Sequence, residues 1–232
     1  MRFAHAMSHD LNAPIKTTNC LLDLLSNEHK SQLDEDGVEL LKMINTSARR
    51  LQDLIGGIAE HSGCLHPNIH YESVDTHELI VDLTATMRPA IHASRAQINL
   101  GTLPTIIGCR QSLNGIFSRL LDNALMYTCR ETQAGFNEAT PVISIDSSMC
   151  DDGTEFTMTD NGIGICPKDH DRVFHAFERV HARSSYEGAG LGLASCQVLV
   201  TALRGRIWMS STEGSGSTVH VFCPNASASS PA

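Results

Sequence analysis

Two glycine-rich stretches carry most of the residues whose types and spacing could do chemistry. The first, "TDNGIGI" (159–165), places Asp160 at the end of an alternating run, followed by Asn161, Gly162 and Gly164. Glycine permits positive φ and lets the backbone come close to a ligand. The acid can accept a hydrogen bond from an exocyclic amine such as N6 of adenine. A plain strand-to-loop turn accounts for the same residues equally well. The second, "EGAGLGLA" (187–194), sets Gly188, Gly190 and Gly192 directly before a helix. Unpaired N–H groups and the macrodipole at a helix start favour phosphate. The stretch does not read GxxxxGK[ST] and lacks the strand-first βαβ context of a dinucleotide fold. A third stretch, "EGSGST" (213–218), reads as a hairpin turn.

Asn123 lies in "LLDNALMYT", on a helix preceding the first glycine loop. A side-chain carbonyl facing a phosphate pocket suits Mg²⁺, which takes a few oxygens together with water and phosphate. A solvated helix asparagine is the alternative. Near the chain start, "SHDLNAP" (8–14) sets His9 beside Asp10. Imidazole is a competent nucleophile near neutral pH, so these residues alone fit either a phosphate acceptor or an ordinary solvated helix histidine. Side chains at i and i+1 diverge on a helix, so contact between His9 and Asp10 requires particular rotamers. Pro14 removes the hydrogen bond to the Asp10 carbonyl and predicts a bend one turn after His9. The group His61, Cys64, His66 and His70 matches no standard zinc spacing and reads as a solvated linker.

These residues need elements to position them. Residues 1–64 read as two amphipathic helices joined by "SNEHKSQLDEDG". Phe3, Met7, Leu11, Ile15, Leu21, Leu22 and Leu25 recur along the first helix, and Leu40, Leu41, Ile44, Leu51, Leu54, Ile55 and Ile58 along the second. One hairpin leaves an apolar face uncovered, so a dimeric four-helix bundle is expected. From residue 71 the pattern is mixed. Asp75 reads as the N-cap of a helix running to about Ala93, with Glu78 three residues on and Val74 and Leu79 as a hydrophobic staple. "AQINL" and "PTIIG" read as strands and "RQSLNGIFSRLLDNALMYT" as a helix with Leu113, Ile116, Phe117, Leu120, Leu121 and Ala124 on one side. "VISIDSS" and "TEFTMTD" alternate as strands, "GLASCQVLVTAL" is a helix, and "RIWMSS" and "STVHVF" are the last strands. "NASASSPA" reads as a disordered tail.

The bulk composition excludes several function classes. A formal net charge of -9 argues against a nucleic-acid footprint. No apolar run reaches the length of a bilayer span, and "MRFAHAMSHD" has no signal-peptide core. The cysteines (Cys20, Cys64, Cys109, Cys129, Cys150, Cys166, Cys196, Cys223) include no CxxC pair and read as reduced thiols of a cytoplasmic chain. Eight residues before His9 leave no room for a sensor domain, so a C-terminal fragment of a longer protein is expected.

Taken in order, the motifs resemble those of the sensor histidine kinases of two-component systems, over about 190 residues. "FAHAMSHDLNAPI" is similar to the family's H box, "RLLDNALMYT" to its N box, "DNGIGI" to its first glycine box, "VFHAFERV" to its F box and "GAGLGLA" to its second glycine box. "FERVHARSSYEGAGLGLA" and "GRIWMSSTEGSGST" look most like the phytochrome-type branch. The resemblance implies an α+β chain. Residues 1–66 would form the dimerisation and phosphoacceptor domain, residues 67–224 an α/β sandwich ATP-binding domain of the histidine kinase, gyrase and Hsp90 type, and residues 225–232 the tail. It implies that His9 is the phosphoacceptor and Asp10 its acid/base neighbour, that Asn123 holds Mg²⁺, and that Asp160 reads the adenine amine. Gly162 and Gly164 would shape the nucleotide pocket. Arg179, Gly188, Gly190, Leu191 and Gly192 would line its phosphate end, with Phe174 and Phe177 packed beneath. The implied activity is ATP-dependent autophosphorylation of His9 and transfer to an aspartate on a response regulator receiver domain, by a cytoplasmic homodimer that contacts neither nucleic acid nor membrane.

Three positions depart from the family pattern. Arg119 stands where an Asn is common and Met126 where a Lys is common; Arg179, His181 and Arg183 could compensate. Ala13 replaces the Thr or Asn that orients water in members that dephosphorylate their partner, so that activity is not expected by that route. A non-catalytic dimeric pseudokinase that binds ATP, and a phosphorelay histidine protein with a vestigial ATP domain, are the competing readings.

Overall fold

A computed structural model describes residues 69–128, 140–178, 180 and 190–225, together with residues 14, 17, 18, 20–26, 33, 34, 36–41, 43–45, 47 and 48. Described residues 14–26 and 36–48 are helical. Leu22 and Leu41 are buried, whereas Leu21, Leu24, Leu25, Leu40, Met43 and Ile44 are exposed. Large apolar side chains are therefore left uncovered by the chain itself.

The later residues form a two-layer α+β unit. Strand β1 (Glu72–Asp75) leads into α1 (Thr76–Thr86), α2 (Arg88–Ser94), β2 (Gln97–Leu100), β3 (Thr105–Gly108) and α3 (Arg110–Thr128). Strands β4 (Val142–Cys150) and β5 (Gly153–Asp160) follow, then short 3₁₀ turns at Pro167–Asp169 and Arg172–Phe174. Helix α4 (Gly192–Ala202), β6 (Arg206–Ser211) and β7 (Ser217–Pro224) complete it. The main sheet has the order β2-β4-β5-β7-β6, with β2 parallel to β4 and the other pairs antiparallel. A separate ribbon pairs β1 with β3.

Period-two burial shows which face of the sheet carries the helices. Ile143 and Ile145 on β4, Phe156 and Met158 on β5, and Val219, Val221 and Cys223 on β7 are buried, and their neighbours are less so. They meet the expected apolar side of α3: Leu113, Ile116, Phe117, Leu120, Leu121 and Ala124 all lie in the core. Phe117 meets Phe156 edge-to-face, with centroids 5.4 Å apart. Such a pair adds about 1 kcal/mol beyond its buried area.

Asp75 caps α1, its Oδ1 accepting the Glu78 N–H at 3.0 Å, and Val74 and Leu79 are both buried around it. Glu78 itself turns to Arg110, 3.3 Å away. The single helix expected to run from Asp75 to about Ala93 is instead two. Pro89, in the first turn of α2, has no N–H to give the Ala85 carbonyl, and α1 closes at Met87 through bonds to Leu83 and Ala85. Strand β1, within the stretch read only as a helix approach, is an addition; its pairing with Thr105–Gly108 is long-range and leaves no local signature.

Candidate functional site

The end of β5 delivers Asp160 into the interior behind the first glycine loop. Its Oδ1 accepts the Gly162 N–H at 2.8 Å. Burial pushes the Asp160 carboxyl above the usual aspartate range, and the N–H groups of Gly162 and Ser217 partly offset that. A mostly buried carboxylate held by backbone donors alone retains acceptor capacity for an amine.

The loop after Asp160 is clamped between two elements. On one side Ile163 donates its N–H to the Tyr127 carbonyl near the end of α3, at 3.3 Å. On the other the β6–β7 hairpin reaches in: Gly214 donates to the Ile163 carbonyl at 2.6 Å, and Ile165 donates to Ser211 Oγ at 2.7 Å. Gly162 lies so close to α3 that a Cβ there would sit 2.5 Å from the Tyr127 oxygen. Gly164 follows against the Thr212 carbonyl. Asn161 faces away and is structural, exchanging hydrogen bonds with Val142 and Thr140 at the start of β4.

Asn123 is half-buried on α3, one turn before Tyr127, and its carboxamide bonds to no other described residue. Helices α3 and α4 pack together, Gly115 lying against Leu199 and Cys196 Sγ 3.7 Å from the Ile116 carbonyl. At the start of α4, Gly190 has φ +70, Leu191 is buried as the N-cap residue, and Gly192 opens the helix with no described atom within 4 Å of its Cβ position. Among the described residues no side chain caps α4, and the unpaired N–H groups of such a helix start suit an anion.

The structure thus brings Asn123, Asp160, Gly162 and Gly164 to the adjoining ends of α3 and β5, and sets Gly190, Leu191 and Gly192 at the start of α4, which packs against α3. His9, Asp10, Arg179 and Gly188 lie outside the described residues, as do Ala13, His181, Arg183, His61, Cys64 and Cys129. Among the described residues no group of His, Cys, Asp and Glu could hold a metal ion. The Asn123 amide oxygen is a hard donor of the type Mg²⁺ takes. Arg119 points down its own helix, Nη1 donating to the Gly115 carbonyl at 2.9 Å, and Met126 is exposed. Phe174 is buried as expected, but Phe177 is exposed with φ +66. The "EGSGST" hairpin is a turn, and it also braces the first glycine loop. Nothing in its local sequence shows this, because the contact depends on β7 lying beside β5 so that Ser217 falls opposite Asp160.

No described helix is long and apolar enough to cross a membrane. Residues 108–227 match the family of histidine kinase-, DNA gyrase B- and HSP90-like ATPases, and residues 1–60 match the His Kinase A phospho-acceptor domain. The chain is 29% identical to the phytochrome-like protein Cph1 of Synechocystis sp. and 30% identical to cyanobacterial phytochrome A of Nostoc sp.. Each alignment covers 96% of this chain but only 29% and 28% of the relative, so the chain spans under a third of their length. Among solved structures it is similar to full-length ShkA in complex with AMPPNP (TM-score 0.67, 24% identity, 99% of this chain, 47% of that one). It is also similar to the Acinetobacter baumannii histidine kinase AdeS (TM-score 0.63, 19% identity, 94% and 98%).

Proposed function

The chain belongs to the sensor histidine kinases, carrying their phospho-acceptor and ATPase-type domains in order, and from that premise we propose that it phosphorylates His9 from ATP and passes the phosphoryl group to an aspartate of a response regulator. Residues 1–66 serve as the phosphoacceptor domain and residues 67–224 as the ATP-binding domain. Asp160 carries the reading: a mostly buried carboxylate, bound by backbone N–H groups, at the mouth of a loop that two elements hold rigid. A group of that kind is costly to bury and suits recognition of an amine donor such as adenine N6.

The remaining roles are assigned on the same reading. The start of α4 and Gly192 receive the phosphates, and Arg179 and Gly188 are assigned to the same task. Asn123 supplies an amide oxygen to Mg²⁺, which when bound neutralises phosphate charge during transfer. His9 Nε2 attacks the γ-phosphorus, the N–P bond forms as the bond to the β,γ-bridging oxygen breaks, and ADP leaves. Asp10 holds Nδ1–H and stabilises the charge that develops on the ring. The exposed leucines of the described N-terminal helical residues support a homodimer.

Incubation with γ-labelled ATP and Mg²⁺ tests this. Label that is acid-labile, base-stable and absent from H9Q is expected; an unlabelled wild-type protein overturns the reading. A second reading, nucleotide binding without transfer, draws on Arg119 being turned to its own helix and Met126 bringing no charge. Nucleotide binding without label would favour it.

A further inference from the structure

We infer that Arg172 is a positioning residue for the nucleotide site, acting through Glu178 to fix the backbone junction from which α4 begins. The inference rests on the nucleotide reading of that helix start. Asp169 has a side chain only 7% exposed and therefore needs a charge partner. Arg172 supplies it, Nη1 lying 2.7 Å from Asp169 Oδ1. The other arm of the same guanidinium, Nη2, lies 2.8 Å from Glu178 Oε2. One planar fork thus ties a buried carboxylate to the residue after Phe177.

What that tie holds is a strained junction. Phe177 has φ +66, although its ring is 57% exposed and gains little from the conformation. Its N–H donates to the Gly190 carbonyl at 2.9 Å. Gly190, at φ +70, lies so close that a Cβ would stand 2.9 Å from the Glu178 oxygen. Two anchors flank the junction: the buried ring of Phe174, and the Arg172 fork on Glu178. Leu191 and Gly192 follow Gly190 immediately, so the direction of the first α4 N–H groups depends on this junction. Freeing Glu178 lets Phe177 relax out of the left-handed region and turns those donors away from the phosphates. The expected result is weaker ATP binding with little change in the transfer step.

The test compares wild type, R172Q, E178Q, the double variant and R172K as full chains. Two readouts are taken: equilibrium binding of a fluorescent ATP analogue with Mg²⁺, and autophosphorylation against ATP concentration. Each single variant should raise Kd and KM about 5- to 30-fold with the maximal rate nearly unchanged. The double variant should be no weaker than R172Q, because both changes break one link. R172K should restore only part, since a point charge cannot serve both carboxylates. Unchanged Kd in both single variants, or losses that multiply in the double, would overturn the inference. Should R172Q not fold, E178Q, which uncovers no buried group, decides alone. Wild type that fails to bind the analogue would bring down the nucleotide reading, and this inference with it. Wild-type binding matched by E178Q sinks the inference only.

Discussion

The two glycine-bearing loops of the site are built in opposite ways. The first is packed on both sides: Ile163 bonds to Tyr127, Gly214 to Ile163, Ile165 to Ser211, and Gly162 to Asp160. The second, at its described end, rests on the backbone bond between Phe177 and Gly190, and among the described residues nothing lies within 4 Å of the Gly192 Cβ position. In the first loop a missing Cβ makes room for the protein's own carbonyls. In the second, Gly190 does the same against the Glu178 carbonyl, and Gly192 meets no described atom. A base reader discriminates through a few hydrogen bonds and gains from rigidity, whereas phosphates are met by N–H groups that must be left unpaired. The proposed adenine end is thus packed within the fold, whereas the described start of α4, proposed for the phosphates, is held by few of the described residues.

The largest expected effect tests the packed end. A carboxylate accepts at both oxygens and keeps acceptor capacity beyond the Gly162 and Ser217 N–H groups; an amide offers one acceptor and sets an NH₂ against a donor. Asp160→Asn should weaken ATP binding about 100-fold. Its stability effect should run the other way. Burial raises the Asp160 pKa above 3.8. Between the ordinary and the raised value the folded chain binds more protons than the unfolded one, so this group's contribution is lost as pH rises through that window. At neutral pH the ionised carboxylate is therefore a cost, and D160N without nucleotide should melt at the same temperature as wild type or higher. Melts from about pH 4 to 7 check the sign. A variant markedly less stable than wild type at neutral pH would mean that the first loop is held by the charge itself.

A matched pair of glycine substitutions separates the two loops directly. Gly162→Ala drives a methyl into the Tyr127 carbonyl and the Asp160 carboxylate, 2.5 and 2.7 Å away. The neighbour is backbone and cannot swing aside, so a loss of about 2–4 kcal/mol is expected from urea midpoints. Gly192→Ala meets no described atom within 4 Å in the first turn of a helix. Its stability should be unchanged or raised by about 0.5 kcal/mol, while nucleotide affinity falls because the methyl occupies ligand space. Equal stability losses in both variants would break the comparison.

Much of this was legible in the sequence because the signals are local. Asp75 with Glu78 and Val74 with Leu79 mark the start of α1, and the apolar side of α3 reads directly from its period. Asp160 and the glycines stand where a strand ends and a helix begins. What was missed depends on which strands become neighbours. The β1–β3 ribbon, the parallel β2–β4 pair, and the approach of Ser217 to Asp160 join segments far apart in the chain. Pro89 was readable as a helix break, and the strong N-cap upstream obscured it. Phe177 looks apolar and therefore buried; its exposure follows from a positive φ that no residue type announces.

The smallest expected effect probes that residue. If the second region is a strained junction rather than a packed one, Phe177→Gly removes the penalty of a side chain at φ +66 and gives up little burial. Glycine adds disorder to the unfolded chain, which offsets part of the gain. The net should be a stabilisation of no more than about 1 kcal/mol, read as a small rise in melting temperature without nucleotide. Wild-type and variant curves should stay parallel in urea, because the surface exposed on unfolding hardly changes. A drop of more than about 1 kcal/mol would show that the Phe177 ring packs in solution. The second region would then be as fully built as the first, and the contrast between a packed end and a sparsely held one would fail at the phosphate side.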